Sequence, residues 1–393
     1  MILFNSLKQA LPGLALMLWA VAACAGATAT PQYILTNDDV PPFLLSGVSF
    51  YSVGAGGALA FVTQVQTGGS GIGGGYFGAN RVAVLDSASQ QCVYASNATS
   101  GTIVGIDLNT LQVGGTATGS PTDTGTSNGI GLAMNSQYLY ASFTDGNTIG
   151  TFQVQPGCSL TFINDVRVGG LQGGIVTAMA LNGNTLVATY GDGSIESFSL
   201  AQGPPVSNGD KQNSPAYLSS QGATYPNGID ITRDGHYVLF GDTSTAGVVE
   251  VSDLSGGRLA KPVAYTLPHA INSSNILLSP DETLLYISDT QGDRISAAYF
   301  DAATGRLSGG CTSGKLRNYV SGWSYLASLS LQSTSGTGGT IYAAEFGSPS
   351  SIAEIQVTSA GGKCTLTEMS GSPVTDSFSS GLLSIGSFPP RSF

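Results

Sequence analysis

His269, Asp289, Asp293 and Arg294 offer an imidazole, two carboxylates and a guanidinium within one stretch of chain. An imidazole exchanges protons near neutrality, so His269 is the histidine suited to acid–base work. Asp289 and Asp293 can polarise a water or take a hard cation such as calcium, and Arg294 can act on a developing oxyanion. These four are the candidate catalytic residues. The competing reading is a loop capped by its own aspartates, with Arg294 as local counter-charge. Asn128, Asn227 and Asn275, each at the start of an apolar run, and Arg81 are the candidate ligand-binding residues. Asn there can equally satisfy its own loop backbone.

Other motifs carry less. Gly125-Thr126-Ser127-Asn128-Gly129 matches the pattern of a nucleophile elbow, which requires a strand followed by a helix; here the serine precedes a β-run. The stretch from Gly73 to Gly78 matches a phosphate-binding glycine pattern, but no helix follows it to supply backbone amides. His236 lies in the turn Asp234-Gly235-His236 and reads as a solvated turn residue. With two histidines in all, metal sites built on histidine clusters are nearly excluded. Asn97 and Asn272 open formal glycosylation sequons. The sequence demands no cofactor.

The elements that would position these residues recur along the chain. An apolar run, a tight polar turn and a second run ending in small residues appear at 81–97, 128–143, 176–190, 227–242, 275–289 and 325–346. Taking Ile34, Tyr94, Tyr140, Val187, Leu239, Tyr286 and Tyr342 as equivalent gives spacings of 60, 46, 47, 52, 47 and 56 residues. Seven units of this size are the period of a four-stranded propeller blade. Asp145-Gly146, Asp192-Gly193 and Asp234-Gly235 mark hairpin turns, and no segment keeps a helical period. The expected fold is all-β: a seven-bladed β-propeller of four-stranded antiparallel blades. The chain opens on a second strand near Tyr33 and ends on an inner one, 381–388. The C-terminal strand should therefore pair into the first blade and close the ring. Long loops then gather on one face, and that face, at the mouth of the central channel, is where a site is expected.

Pro268-His269, Ser279-Pro280-Asp281, Leu285-Tyr286, the run from Ser288 to Ile295 and the run from Asp301 to Leu307 resemble one blade of the lactonase-like seven-bladed propellers. These are relatives of 6-phosphogluconolactonase and of the fungal carboxymuconate cyclase. Members often carry a His-x-His before the inner strand of such a blade. The matching positions here are Asn272 and Ser274, with His269 upstream. The resemblance implies lactone chemistry, in which Asp289, Asp293 or His269 would activate water and Arg294 or Arg81 would stabilise the oxyanion.

The N-terminus reads as an export signal over 1–23, followed by a short linker (24–31) and the propeller (32–393). Lys8 precedes an apolar run from Ala10 to Ala23 that is short for a membrane span. Val21-Ala22-Ala23-Cys24 resembles a lipobox, with Cys24 as the lipidated residue, while Ala25-Gly26-Ala27 fits ordinary signal cleavage. Setting Cys24 aside leaves four cysteines, an even number suited to an oxidising compartment. Of three possible connectivities, Cys92–Cys158 and Cys311–Cys364 are the easiest, since each joins neighbouring units. The location expected is extracytoplasmic: secreted, periplasmic or lipid-anchored.

A formal net charge of −11, becoming −12 once Lys8 is removed, disfavours nucleic acid and anionic membranes as partners. Partners expected are a small polar ligand, a lactone, a glycan or an envelope protein, with the chain monomeric. The leading functional expectation is a non-catalytic binding propeller of the cell envelope. A lactone hydrolase or lactonizing enzyme is the alternative, and a redox or quinoprotein-like propeller is a third.

Overall fold

Second strands explain how so few charges suffice. Each lies between an inner and a third strand, with a neighbouring blade against either face, so whole runs are buried rather than alternating. Leu284–Asp289 is buried at all six positions, whereas the outer strand Lys363–Glu368 alternates exposed and buried. Every fully buried Leu, Ile or Phe contributes about 1.5–3 kcal/mol. The seven positions read as equivalent all fall in second strands, and all are buried.

The computed structural model describes residues 32–38, 45–71, 81–118, 130–215, 226–242, 247–270, 272–289, 294–317, 325–335, 338–346, 350–360, 362–378 and 382–390. The stretch 1–23, read from sequence as an export signal, and Cys24 lie outside the described residues, and Gln32–Phe393 forms one compact unit.

Seven antiparallel sheets follow one another. Blade 1 runs outward from Leu382–Phe388 through Tyr33–Asp38 and Gly47–Val53 to Leu59–Gln66. Blade 2 comprises Val82–Asp86, Gln91–Asn97, Thr102–Asp107 and Gln112–Thr118. Blade 3 comprises Ile130–Met134, Tyr138–Phe143, Thr148–Gln155 and Ser159–Arg167. Blade 4 holds Val176–Asn182, Thr185–Tyr190 and Ser194–Ser199, with Val206–Ser207 and Gln212–Asn213 sharing its outer edge. Blade 5 comprises Pro226–Ile231, Tyr237–Asp242, Val248–Asp253 and Val263–Thr266. Blade 6 comprises Ser273–Leu278, Leu284–Asp289, Arg294–Asp301 and Arg306–Thr312. Blade 7 comprises Tyr325–Ser335, Gly338–Phe346, Ser350–Ala360 and Lys363–Glu368, with Val374–Asp376 added beside its third strand.

Inner strands neighbour one another around the whole circle. The blades come close at Gly228, where a Cβ would stand 2.6 Å from the Asn275 backbone. The last strand closes the ring, with Tyr33 opposite Phe388 and Asn37 opposite Ser384. Among the described residues, helix comprises three three-residue 3-10 turns and the single α-helical residue Pro215.

The turns between first and second strands are short because their own side chains replace backbone bonds. Asp234 accepts from the Thr232 hydroxyl (2.7 Å) and the His236 amide (2.9 Å), and Asp281 accepts from the Ser279 hydroxyl (2.6 Å). Adjacent blades are pinned near this face. Tyr140 Oη donates to Gly203 O (2.9 Å) in the next blade, and Tyr342 Oη donates to Gly57 O (2.7 Å). Cys92 is bonded to Cys158 and Cys311 to Cys364, with Cα separations of 5.6 and 5.8 Å.

One placement differs from the sequence reading. Cys311 is the penultimate residue of its outer strand, opposite Ala297, rather than just after the third strand. A register shift at Gly310 (φ 125°), where a Cβ would meet Ala297 O at 1.8 Å, sets Cys311 opposite Ala297.

Candidate functional site

Blade 6 draws three of the four candidate catalytic residues together. Asp289 ends the second strand and Arg294 opens the third, and the two face each other in register. The Asp289 side chain is wholly buried, and the partly exposed Arg294 stands with Nε 3.6 Å from Asp289 Oδ2. Ser296 lies one residue further along the third strand than Ile295. Its hydroxyl is 2.5 Å from Asp289 Oδ2 and 2.7 Å from the main-chain carbonyl of His269. One serine thus ties the His269 loop to the acid, while His269 itself is exposed. Asp293 lies outside the described residues.

Asn275 stands on the inner strand of the same blade. It is buried, and its amide donates to Ser288 Oγ at 3.0 Å. Asn227 belongs to the inner strand of blade 5, but its side chain is outside the described residues, as is all of Asn128. Arg81 belongs to a different part of the ring, the junction of blades 1 and 2, and is 1% exposed. Its amide donates to Ser384 Oγ (3.0 Å), and its carbonyl accepts from the Ser96 amide (3.1 Å) and Asn37 Nδ2 (3.4 Å). The backbone of Arg81 is therefore built into the wall between two blades.

The acid–serine pair at Asp289 recurs. Asp38 accepts from Ser49 Oγ (2.6 Å) in blade 1, Asp192 from Ser194 Oγ (2.5 Å) in blade 4, and Glu345 from Ser351 in blade 7. In blades 1 and 7 the acid lies at the end of a second strand, and in blade 4 Asp192 lies in the turn just beyond it; the serine is early in the third strand each time. Burial works to raise the Asp192 pKa, but Ser194 and the amides of Gln172 and Gly174 outweigh it and hold it below the usual carboxylate range. Asp289 is thus one copy of a repeated fastening, with its carboxylate engaged by Ser296 and Arg294. Ser296 was not singled out from the sequence. Its signal was there, since an acid closing the second strand is followed by a serine early in the third in several units.

His236 is half-exposed, stacked on Tyr237 at 4.7 Å and 3.7 Å from Asp253. Asn97 is fully buried and donates to Thr102 Oγ1 (3.0 Å), so its sequon is closed in the folded chain. A groove of about 550 Å³ between the outer strands of blades 1 and 2 is lined by residues such as Val62, Gln64, Leu111 and Val113 and includes no candidate site residue. Among the described residues no three His, Cys, Asp or Glu side chains gather as metal ligands.

A family model, the seven-bladed β-propeller lactonase, matches residues 91–373. The fold is similar to a candidate 6-phosphogluconolactonase of Bacteroides fragilis, with TM-score 0.66 and 14% identity over 92% of this chain and 99% of that one. A second such protein, from Bacteroides uniformis, gives 0.64 and 14% over 91% and 99%. The periplasmic gluconolactonase of Pseudomonas aeruginosa gives 0.62 and 15% over 88% and 98%. At these identities the structures speak for the fold alone. No curated protein sequence matches the chain. The family match covers most of the propeller, including the whole of blade 6, and on that ground the chain belongs to the seven-bladed β-propeller lactonase family.

Proposed function

We propose that this chain hydrolyses a small lactone on its loop-rich face, at the blade 6 corner. The observation that carries the reading is the Ser296 hydroxyl, which holds the His269 loop against the Asp289–Arg294 pair, inside a region matched by a lactonase model. In this reading the His269 imidazole takes a proton from water as the water oxygen attacks the lactone carbonyl. Arg294, whose side chain reaches solvent, stabilises the oxyanion. The ring C–O bond then breaks, the ring oxygen takes up a proton, and the hydroxy acid ionises with net release of one proton. Asp289 is a positioning residue here, because a wholly buried carboxylate hydrogen-bonded to Ser296 and ion-paired with Arg294 is poorly placed to meet water.

That burial also favours a second reading, in which the same face binds a lactone or other small polyhydroxylated molecule without turnover. Proton release on a panel of sugar and muconate-type lactones separates the two. Turnover above the spontaneous rate that falls at least tenfold in His269→Ala supports hydrolysis. Saturable binding with no proton release assigns the face to binding.

The reading extends to location. The 1–23 leader and the two disulfides support export to an oxidising compartment, with Cys24 as the point of lipid attachment. Metabolic labelling with a fatty acid, compared between the wild type and Cys24→Ala, tests the anchor. Label retained in the variant rejects it.

A further inference from the structure

We propose that Asp38 and Asp376 share a proton that latches the ring shut, so that closure of the propeller is strongest in acid and weakens as pH rises. The two residues meet across the closing seam. Asp38 ends the second strand of blade 1, and Asp376 lies on the strand Val374–Asp376 attached to blade 7. They are 0% and 1% exposed. Thr36 Oγ1 stands between them, 2.8 Å from Asp38 Oδ1 and 3.3 Å from Asp376 Oδ2, and the Tyr51 hydroxyl also hydrogen-bonds Asp376. A hydroxyl has one hydrogen to give, so it cannot satisfy two ionised acceptors. A proton on one carboxyl completes the threonine bridge, because that carboxyl then donates to the threonine oxygen while the threonine donates to the other.

Among the described residues, the donors that reach these carboxyls are neutral. Asp38 Oδ2 accepts from Ser49 Oγ and from Gln64 Nε2, each at 2.6 Å. Gln64 reaches inward over Gly47, where a Cβ would stand 2.8 Å from it. From blade 7, Asp376 accepts the Phe378 amide at 2.9 Å. The remaining titratable neighbour is Tyr51 on the third strand of blade 1, a phenol pushed above its usual range by burial and then by the charges of Asp376 and Asp38. Arg81 holds Ser384 through its backbone amide. The ion pairs of Lys211, His236, Arg294 and Arg317 lie elsewhere in the ring.

Burial, followed by the Asp376 charge, raises the Asp38 pKa to about 8. An unfolded aspartate titrates near about 4, so the folded chain keeps one more proton between the two values. The latch therefore contributes fully below about pH 4, and its contribution is lost as pH rises to about 8. Above that, two buried carboxylates face each other across the seam.

The test compares unfolding of the purified protein with that of Asp38→Asn from pH 5 to 9.5. An asparagine keeps the shape and needs no proton. The ratio of wild-type to variant unfolding constants is expected to rise tenfold per pH unit, flattening near pH 8. A ratio independent of pH overturns the proposal. Should Asp38→Asn not fold, the infrared carboxyl band of the wild type decides. Loss of one protonated carboxyl near pH 8 supports the latch, and absence of any such band at pH 6 overturns it.

Discussion

The junction between blades 2 and 3 and the seam between blades 7 and 1 solve one problem with different chemistry. At the first, Cys92 and Cys158 cross from blade to blade covalently, and the nearby Tyr94 hydroxyl, buried on the second strand, has no hydrogen-bond partner among the described residues. At the second, beside the pairing of Tyr33–Asp38 with Leu382–Phe388, no disulfide is present among the described residues. Tyr342 donates to Gly57 O at 2.7 Å, the Leu59 amide donates to the Glu354 carboxyl at 2.6 Å, and Asp38 meets Asp376. Burial raises the Glu354 pKa as it does that of Asp38. The covalent junction should respond to reductant and ignore pH. The closing seam should do the reverse. Strength at a blade junction can thus come from a bond or from a set of buried polar groups, and the choice decides what the junction senses.

That contrast can be broken most severely at the chain's end. Stopping the chain before Leu382 removes the inner strand of blade 1 and exposes an unpaired edge. Cooperative unfolding should disappear, as read by calorimetry. Next in size, replacing Cys311 and Cys364 together by Ser opens a loop of 53 residues and should cost about 4 kcal/mol. Denaturant titration should show this loss to be the same at pH 6 and pH 9. A smaller effect separates the tyrosines. Tyr342→Phe leaves a buried carbonyl unmet and should cost about 1–2 kcal/mol, whereas Tyr94→Phe should change stability by less than about 0.5 kcal/mol. Equal losses in both variants would remove the distinction between the junctions.

Asp289 and Asp38 make a related pair. Both close a second strand, both are wholly buried, and both accept a serine from the third strand. Asp289 has Arg294 beside it, whereas Asp38 has another carboxyl. The same fastening therefore stands beside a cation in blade 6 and beside a second carboxyl in blade 1. Only the first sits beside a solvent-reaching cation, and that is why the lactonase reading is placed there.

What the sequence determined by itself is the repeat. Buried second strands must be apolar and the tight turns must carry Asp, Asn or Gly, so seven spacings and their turns were legible, as was closure by the last strand. The cysteines could be paired because each couple sits in consecutive units. Placing His269, Asp289 and Arg294 in one blade was also possible, because they are close in the chain. What only the tertiary structure decided is which polar groups are spoken for. Asp376 is more than 300 residues from Asp38, and no local pattern announces that they meet. Whether Asp289 is free or engaged depends on Ser296 and a loop carbonyl brought to it by folding. Strand period and turn chemistry are local properties of neighbouring residues. The partner of a buried acid is set by packing between blades, where two such residues are joined by the ring and not by the chain.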